Sequence, residues 1–487
     1  MRLADHLDAD DRLSVRNGVL FLEECALTDV ADRFGTPLHV VSQDRLRLRA
    51  REFVREFGAA WSEGPVQVLA SLKANYSLAL RRLLTLEGIG CDTFGASELR
   101  AALACGVPPA LVSVNGSSKS AGLVREAIAA GAHLTLDSRR EAELVVEAAA
   151  ELATPATVRV RLRPDFHGLD LPSEFAAGER TVADVADRYK PGIPRRDLPA
   201  VARLLSASDL VAVVGCHVHV GRHRPDRALW EGMIPRAVAE IARFAAAMGG
   251  GWRPSVIDLG GGLSPRRDPA ELAHAGRRGG EPRRVPSVRD YARCIASSLH
   301  VALARVGLPS AGLTLQIEPG RSLYANAGLH LSRVTNLKSE PGPDGTRRWV
   351  ETDTSEAFLP DVNLEGARWS VVTVREPDRP RRVKADIVGI SCGFDVLVED
   401  ALLPAVEPGE VIAFLDTGAY QDAGANNFNA MPRPATVLVA SDRAEVVKRA
   451  ETLADVFARD VVPERLGPVA SLTSAPVDDG SIHGEVT

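Results

Sequence analysis

From about residue 36 the apolar positions fall into a repeating order. A short run of β-formers is followed each time by a longer stretch with apolar residues three and four apart. The runs are VQVLAS, GCDTF, LVSVN, HLTLD, TVRVRL, VVGCHVHV, SVIDLG and LTLQIEP. Segments such as SLALRRLLTLEG, ASELRAALACG, SAGLVREAIAAG and SRREAELVVEAAAEL carry the helical period and often close on glycine. Eight successive β-then-α units predict a (β/α)8 TIM barrel rather than an open sheet.

Beyond about residue 326 the helical period fades. HLSRVTNLKSE, RRWVETDT, ARWSVVTVRE, RVKADIVGI and EVIAFLDTG read as strands between Pro, Gly and charged turns, predicting a second, C-terminal β-rich domain of barrel or sandwich type. The expected division is 1–35 as an N-terminal segment adding an edge to the β-domain, 36–325 as the barrel, and 326–464 as the β-domain. RRDPAELAHAGRRGGEPRRVPS, residues 265–287, reads as a mobile insertion, and the Ser-, Asp- and Gly-rich residues 465–487 read as a disordered tail.

Composition narrows the function classes. The chain has 487 residues, 45% hydrophobic and 25% charged, and a formal net charge of −6 with no long basic run, which argues against a nucleic-acid partner. The opening MRLADHLDADDRLSV lacks the apolar core of a signal peptide, and no apolar run is long enough for a membrane span, so a cytoplasmic location is expected. Six cysteines without a CxxC pair predict reduced thiols.

In such a barrel the chemistry sits at the C-terminal ends of the strands. That rule selects Lys73, His219, the run Gly260, Gly261, Gly262, and Glu318 with Arg321. A lysine there either snorkels to solvent or is desolvated, which lowers its pKa and frees the amine for a Schiff base. Three glycines let backbone N–H groups approach a phosphate, although plain tight turns use them too. Glu318 and Arg321 could form a structural ion pair. His217 and His219 share one side of their strand and could ligate a metal, but no motif supplies further ligands, so no metal is expected.

Taken in order, SLKAN, HVHVG, DLGGG, EPGR and the late DTGAY resemble the fold-type III pyridoxal-phosphate decarboxylases, the diaminopimelate and ornithine decarboxylase group. Smaller matches at NGSSKS, ANAG, NNFNAMPRPATVLV and AETLADVF extend the likeness over most of the chain. The resemblance implies pyridoxal 5'-phosphate as cofactor, with Lys73 forming the internal aldimine, His219 stacked on the ring and Arg161 nearby. It implies Gly260, Gly261, Gly262, Arg321 and Tyr420 at the phosphate, and Glu318 on the pyridine nitrogen. A carboxylate there keeps that nitrogen protonated and favours loss of CO2, whereas racemisation would suit an arginine. The family's architecture, a barrel followed by a β-domain, commonly forms a head-to-tail homodimer with shared active sites.

Three departures bear on the substrate. GISCGFDVL stands where the family has Cys-Glu-Ser-Gly-Asp or Cys-Asp-Gly-x-Asp, so Asp395 is kept, either Ser391 or Cys392 takes the cysteine position, and the acid that meets the distal amine is lost. Cys392 is the candidate proton donor, with a small buried hydrophobe as the plain alternative. VETDTSEAFLPDVN places Leu359 and Asn363 where the family has the arginine and tyrosine near a distal carboxylate. Arg222 follows Gly221 where a serine is usual. Asp395, Leu359 and Asn363 are thus the expected substrate-binding positions. The expected activity is decarboxylation of a small-molecule amino acid or an amino-acid-derived intermediate, a carrier-tethered one included, other than meso-diaminopimelate. The competing readings are a racemase or other Cα-transforming enzyme on the same cofactor, and a catalytically silent regulatory homologue.

Overall fold

The computed structural model describes residues 11–167, 190–219, 221, 226–278, 284–342 and 345–467. The expectations for Arg222, for residues 279–283 and for the tail beyond 467 lie outside the described residues.

β1 (Leu13–Arg16), β2 (Val19–Leu22) and β3 (Cys25–Ala26) form a small antiparallel sheet. β4 (Leu38–Ser42) leads into a helix over Gln43–Ala60, whose first turn is capped by the Ser42 hydroxyl accepting from Arg45 N at 3.0 Å. The next eight strands are β5 (Val66–Ser71), β6 (Gly90–Thr93), β7 (Val112–Val114), β8 (His133–Leu136), β9 (Ala156–Arg161), β10 (Val211–His217), β11 (Val256–Asp258) and β12 (Thr314–Ile317). They close into a parallel barrel, with β12 pairing back onto β5.

The remaining strands are β13 (Gly328–Gly342), β14 (Gly345–Thr352), β15 (Val371–Thr373), β16 (Val383–Val388), β17 (Val396–Leu403), β18 (Val411–Leu415), β19 (Ala435–Ala440) and β20 (Arg443–Lys448). They form a sheet ordered β17-β16-β14-β13-β4-β19-β20, with β18 pairing with both β13 and β15. The long β13 serves both halves: its first residues pair with β4 and β18, and its last nine with β14.

β4 therefore lies in the β-rich sheet, although it follows residue 36. LHVVS is apolar on both sides and wholly buried, pairing with β13 and β19. The N-terminal strands form their own sheet rather than an edge of the larger one. They pack on it through Leu20 and Leu22 against Leu329, Val372 and Val437, and touch it at one bridge, Val19 with Arg375. Glu23 fastens the join, accepting from Ser42 Oγ at 2.6 Å and from Ser441 N. Within the 265–287 stretch the structure has a helix, Pro269–Arg278. Asp268 accepts from Ala270 N at 3.0 Å and proline opens the first turn, a start signal present in the sequence. Among the described residues no helix is long and apolar enough to cross a membrane.

Candidate active site

The parallel register of β5 and β6 pairs Ser71 with Asp92, so both project into the barrel at one level. Just past β5 the chain makes a short turn, Leu72–Ala74, which brings Lys73 over that pair. Lys73 Nζ lies 2.9 Å from Asp92 Oδ2 and donates to Ser71 Oγ as well; 49% of the lysine side-chain surface is open at the barrel mouth. The expectation that burial would lower its pKa is reversed. Desolvation does act against the charge, but Asp92, with Tyr420 and Glu318 behind it, holds the ammonium above the ordinary lysine range. Burial alone would raise Asp92, yet Lys73, Ser71 and Asn115 together lower it.

Asn115 extends the network from the end of β7. Its Nδ2 donates to Asp92 Oδ1 at 2.7 Å and to Glu318 Oε1, joining the lysine's counter-ion to the carboxylate at the end of β12. On the other oxygen of Glu318, His217 Nε2 stands at 3.3 Å. Burial, then the charge of Asp92, pushes Glu318 up, and burial takes His217 down to about 3, so the imidazole is neutral. His217, Asp258 and Glu318 bring ligand-type atoms within 4.8 Å of one another, which answers the search for ligands beyond the two histidines. Their oxygens already have partners: Asp258 accepts from Arg159 Nη1 at 2.7 Å and from Gly260 N at 2.9 Å, and Glu318 from Asn115.

His219 turns its ring toward the glycine run. A Cβ on Gly260, whose φ is +69°, would come within 2.8 Å of the His219 ring, and one on Gly261 within 2.4 Å of the Glu318 carbonyl oxygen. Only glycine fits between β11 and β12 here. Glu318 N donates to Gly260 O at 2.8 Å and fixes the two strand ends together. Gly221 N donates to His219 Nδ1 at 3.2 Å, so Nε2 carries the proton; burial, then Arg161 and Lys73, keeps the ring neutral. Arg161, paired in register with His217 at the end of β9, is buried with Nε 3.8 Å from Asp137.

Arg321 and Tyr420 close another side. The guanidinium carbon sits 4.6 Å from the Tyr420 ring centroid, and Nη1 is 2.6 Å from Asp361 Oδ2. Gln421 Nε2 also donates to that oxygen, at 2.8 Å. Tyr420 has φ +67°, a left-handed conformation that side chains rarely adopt, and its N–H donates to Ala74 O at 2.7 Å, next to Lys73. A Cβ on Gly320 would meet the Tyr420 hydroxyl at 3.0 Å.

The remaining positions gather elsewhere. Cys392 is exposed on the loop between β16 and β17, where Asn429 Nδ2 donates to its Sγ at 3.3 Å and its own N–H donates to Asn429 Oδ1 at 3.0 Å. Of the expected substrate-binding positions, Asp395 and Leu359 are buried in this chain. Asp395 is buried, with Oδ1 accepting from Glu356 N at 2.6 Å and Oδ2 from Ser391 N at 2.7 Å, so its carboxylate holds this loop together. Leu359 is wholly buried among Val334, Trp369, Ile387 and Phe414 in the β-domain core. Asn363 is exposed.

Asp92, Asn115 and Asp361 are the residues that motif reasoning missed. Asp92 had a signal: a carboxylate amid the small and apolar residues of GCDTF, at a barrel strand end. Asn115 stood in NGSSKS, and its role follows only from the closure of β7 and β12 around one interior.

A lysine, a carboxylate, an imidazole face, guanidinium groups and a glycine run thus converge at one end of a parallel barrel. That donor set fits a phosphorylated, nitrogen-ring cofactor carrying a carbonyl, and defines a cofactor-dependent barrel enzyme. The family model described as "Pyridoxal-dependent decarboxylase, pyridoxal binding domain" matches residues 43–325, and the chain belongs to that family of pyridoxal-phosphate-dependent carboxy-lyases. It is 31% identical to a diaminopimelate decarboxylase of Pseudomonas aeruginosa, covering 92% of this chain and 98% of the relative. A diaminopimelate decarboxylase of Archaeoglobus fulgidus is 28% identical over 93% of this chain and 99% of its own length. The crystal structure of the Methanocaldococcus jannaschii enzyme in complex with L-lysine superposes with a TM-score of 0.82 at 26% identity, covering 94% of this chain and all of that one.

Proposed function

We propose that this chain removes the α-carboxylate of an amino acid, with Lys73 as the residue that binds the cofactor covalently. The single observation that carries the reading is the network Lys73–Asp92–Asn115–Glu318, which links the amine and a candidate pyridine-nitrogen partner in one hydrogen-bonded frame. When bound, pyridoxal phosphate supplies the electron sink for the pair left behind as CO2 departs. The chain's own groups do the rest. Glu318 would hold a proton on the ring nitrogen, the neutral His219 imidazole would lie against the ring, and the Gly260–Gly262 turn, through the Gly261 and Gly262 amides, would receive the phosphate with Arg321. Asp92 pairs with the Lys73 ammonium and orients it until its proton is given up.

Cys392 is the proposed donor of the proton that replaces the carboxylate, delivered from a second copy in a homodimer. Its exposure on a β-domain loop beside the 98% exposed Phe394 supports that assignment. On the substrate, the loss of the family's motif acid in GISCGFDVL, on the loop where Cys392 is exposed, supports an amino acid other than meso-diaminopimelate. The diaminopimelate decarboxylases among the relatives favour that substrate instead.

One assay separates the two. CO2 release is measured across meso-diaminopimelate, lysine, ornithine, arginine and neutral amino acids. The proposal expects meso-diaminopimelate to be a poor substrate and another amino acid to be preferred. Efficient turnover of meso-diaminopimelate overturns the substrate reading, and racemisation without gas overturns the reaction.

A further inference from the structure

Between Asp92 and Glu318 stands a single side chain, and its amide has two N–H groups for two carboxylates. Asn115 Nδ2 donates to Asp92 Oδ1 at 2.7 Å and to Glu318 Oε1, while its Oδ1 accepts from Ser113 Oγ at 2.6 Å. The orientation of the amide follows from its surroundings. Ser113 Oγ accepts from Arg159 Nη2, which leaves the hydroxyl hydrogen for Asn115 Oδ1 and turns the amide nitrogen to the acids. Asn115 N donates to Thr93 O at 2.8 Å, so the backbone is pinned between β6 and β7.

We propose that Asn115 is a positioning residue that couples the two ends of the site: its amide favours the ionised form of both carboxylates and aims them, Asp92 at Lys73 and Glu318 toward the cofactor's ring nitrogen. The inference rests on the cofactor assignment above. The groups facing Glu318 are Lys73, Asp92, Arg159, His217 and Asp258. Arg159 is committed to Asp258, Gln316 and Ser113, and Lys73 to Asp92 and Ser71. Asp258 is itself pushed up to about 7 by burial and by Glu318, so it reaches Glu318 as a proton-sharing acid rather than as a counter-ion. Lys73 and Arg159 act on Glu318 through their charge, while Asn115 is the neutral donor that bonds both Glu318 and the lysine's partner Asp92. Without it, Asp92 keeps Lys73 and Ser71, and the added proton falls on Glu318, where it displaces the contact to the ring nitrogen.

The test uses the protein loaded with pyridoxal phosphate, and the variants Asn115→Leu, Asn115→Asp and Asn115→Ser. The pH dependence of the cofactor's visible absorbance band and that of CO2 release are read together. Loss of a hydrogen bond to a charged group is expected to move the acid-side midpoint of both upward by about one unit or more in Asn115→Leu. The shift is larger in Asn115→Asp, which adds a third carboxylate, and smaller in Asn115→Ser, which keeps one donor. At neutral pH kcat falls about tenfold with KM little changed. Midpoints that stay at the parent value, with losses confined to thermal stability or KM, overturn the inference. If the leucine variant does not fold, the same-shaped aspartate variant and the serine variant decide it by the same midpoints. A parent chain that takes up no pyridoxal phosphate refutes the cofactor assignment itself; a parent that loads, with variants whose midpoints do not move, refutes the role of Asn115 alone.

Discussion

Asp92 Oδ2 lies 2.9 Å from Lys73 Nζ, and the pair spans two neighbouring barrel strands at the mouth of the site. The lysine is an ammonium ion held by a buried acid, so it must lose a proton before any nucleophilic use of its amine.

Replacing Asp92 by asparagine keeps the shape and removes the charge. Desolvation of Lys73 then meets less opposition, and its pKa falls. Uptake of pyridoxal phosphate by the cofactor-free variant is expected to extend to lower pH, with the midpoint of the uptake rate moving down by about one unit or more. Stopped-flow absorbance across pH checks this; a midpoint that stays put or rises contradicts the electrostatic reading of the pair.

The glycine run makes a graded prediction. Gly260→Ala strains a left-handed residue, at about 1–2 kcal/mol, and pushes on the His219 ring, which can give way. Gly261→Ala drives a methyl group into the backbone oxygen of Glu318, which cannot. Gly261→Ala is therefore expected to weaken cofactor binding more than Gly260→Ala, as read by equilibrium titration of the visible band.

Acid should destabilise the β-domain through a buried histidine pair. His39 Nδ1 and His330 Nδ1 are 3.1 Å apart, and His330 Nε2 meets Thr354 Oγ1 at 2.7 Å. Burial takes His39 down to about 4, with Asp422 opposing it and Lys448 adding to it in smaller measure, and takes His330 well below its usual value. Between pH 6.5 and about 4 the unfolded chain binds the proton that folded His39 refuses, so stability falls as the pH drops. Urea unfolding over this window is expected to show that fall, and His39→Gln to flatten it by up to about 1.4 kcal/mol per pH unit. An unchanged slope in the variant contradicts the assignment.

The barrel was legible because each strand and helix repeats one period, and the five motif segments fall at strand ends or turns where backbone geometry restricts the choice of residue. β4 escaped because LHVVS is uniformly apolar and continuous with the helix that follows, so no pattern separates it from the barrel. The charge state of Lys73 was not legible for a different reason. Its neighbour Asp92 lies nineteen positions along the chain, and only the register of β5 with β6 brings them together. Leu359 and Asp395 align with substrate-binding positions by motif, and their packing was not legible there: one fills the β-domain core and the carboxylate of the other holds a loop.

The covalent role of Lys73 is tested most directly by reducing the cofactor-loaded protein with borohydride and mapping the modified peptide by mass spectrometry. The account predicts one pyridoxyl adduct, on Lys73, and none in Lys73→Ala, which also loses CO2 release. An adduct on another lysine, or decarboxylation that survives Lys73→Ala, would contradict it.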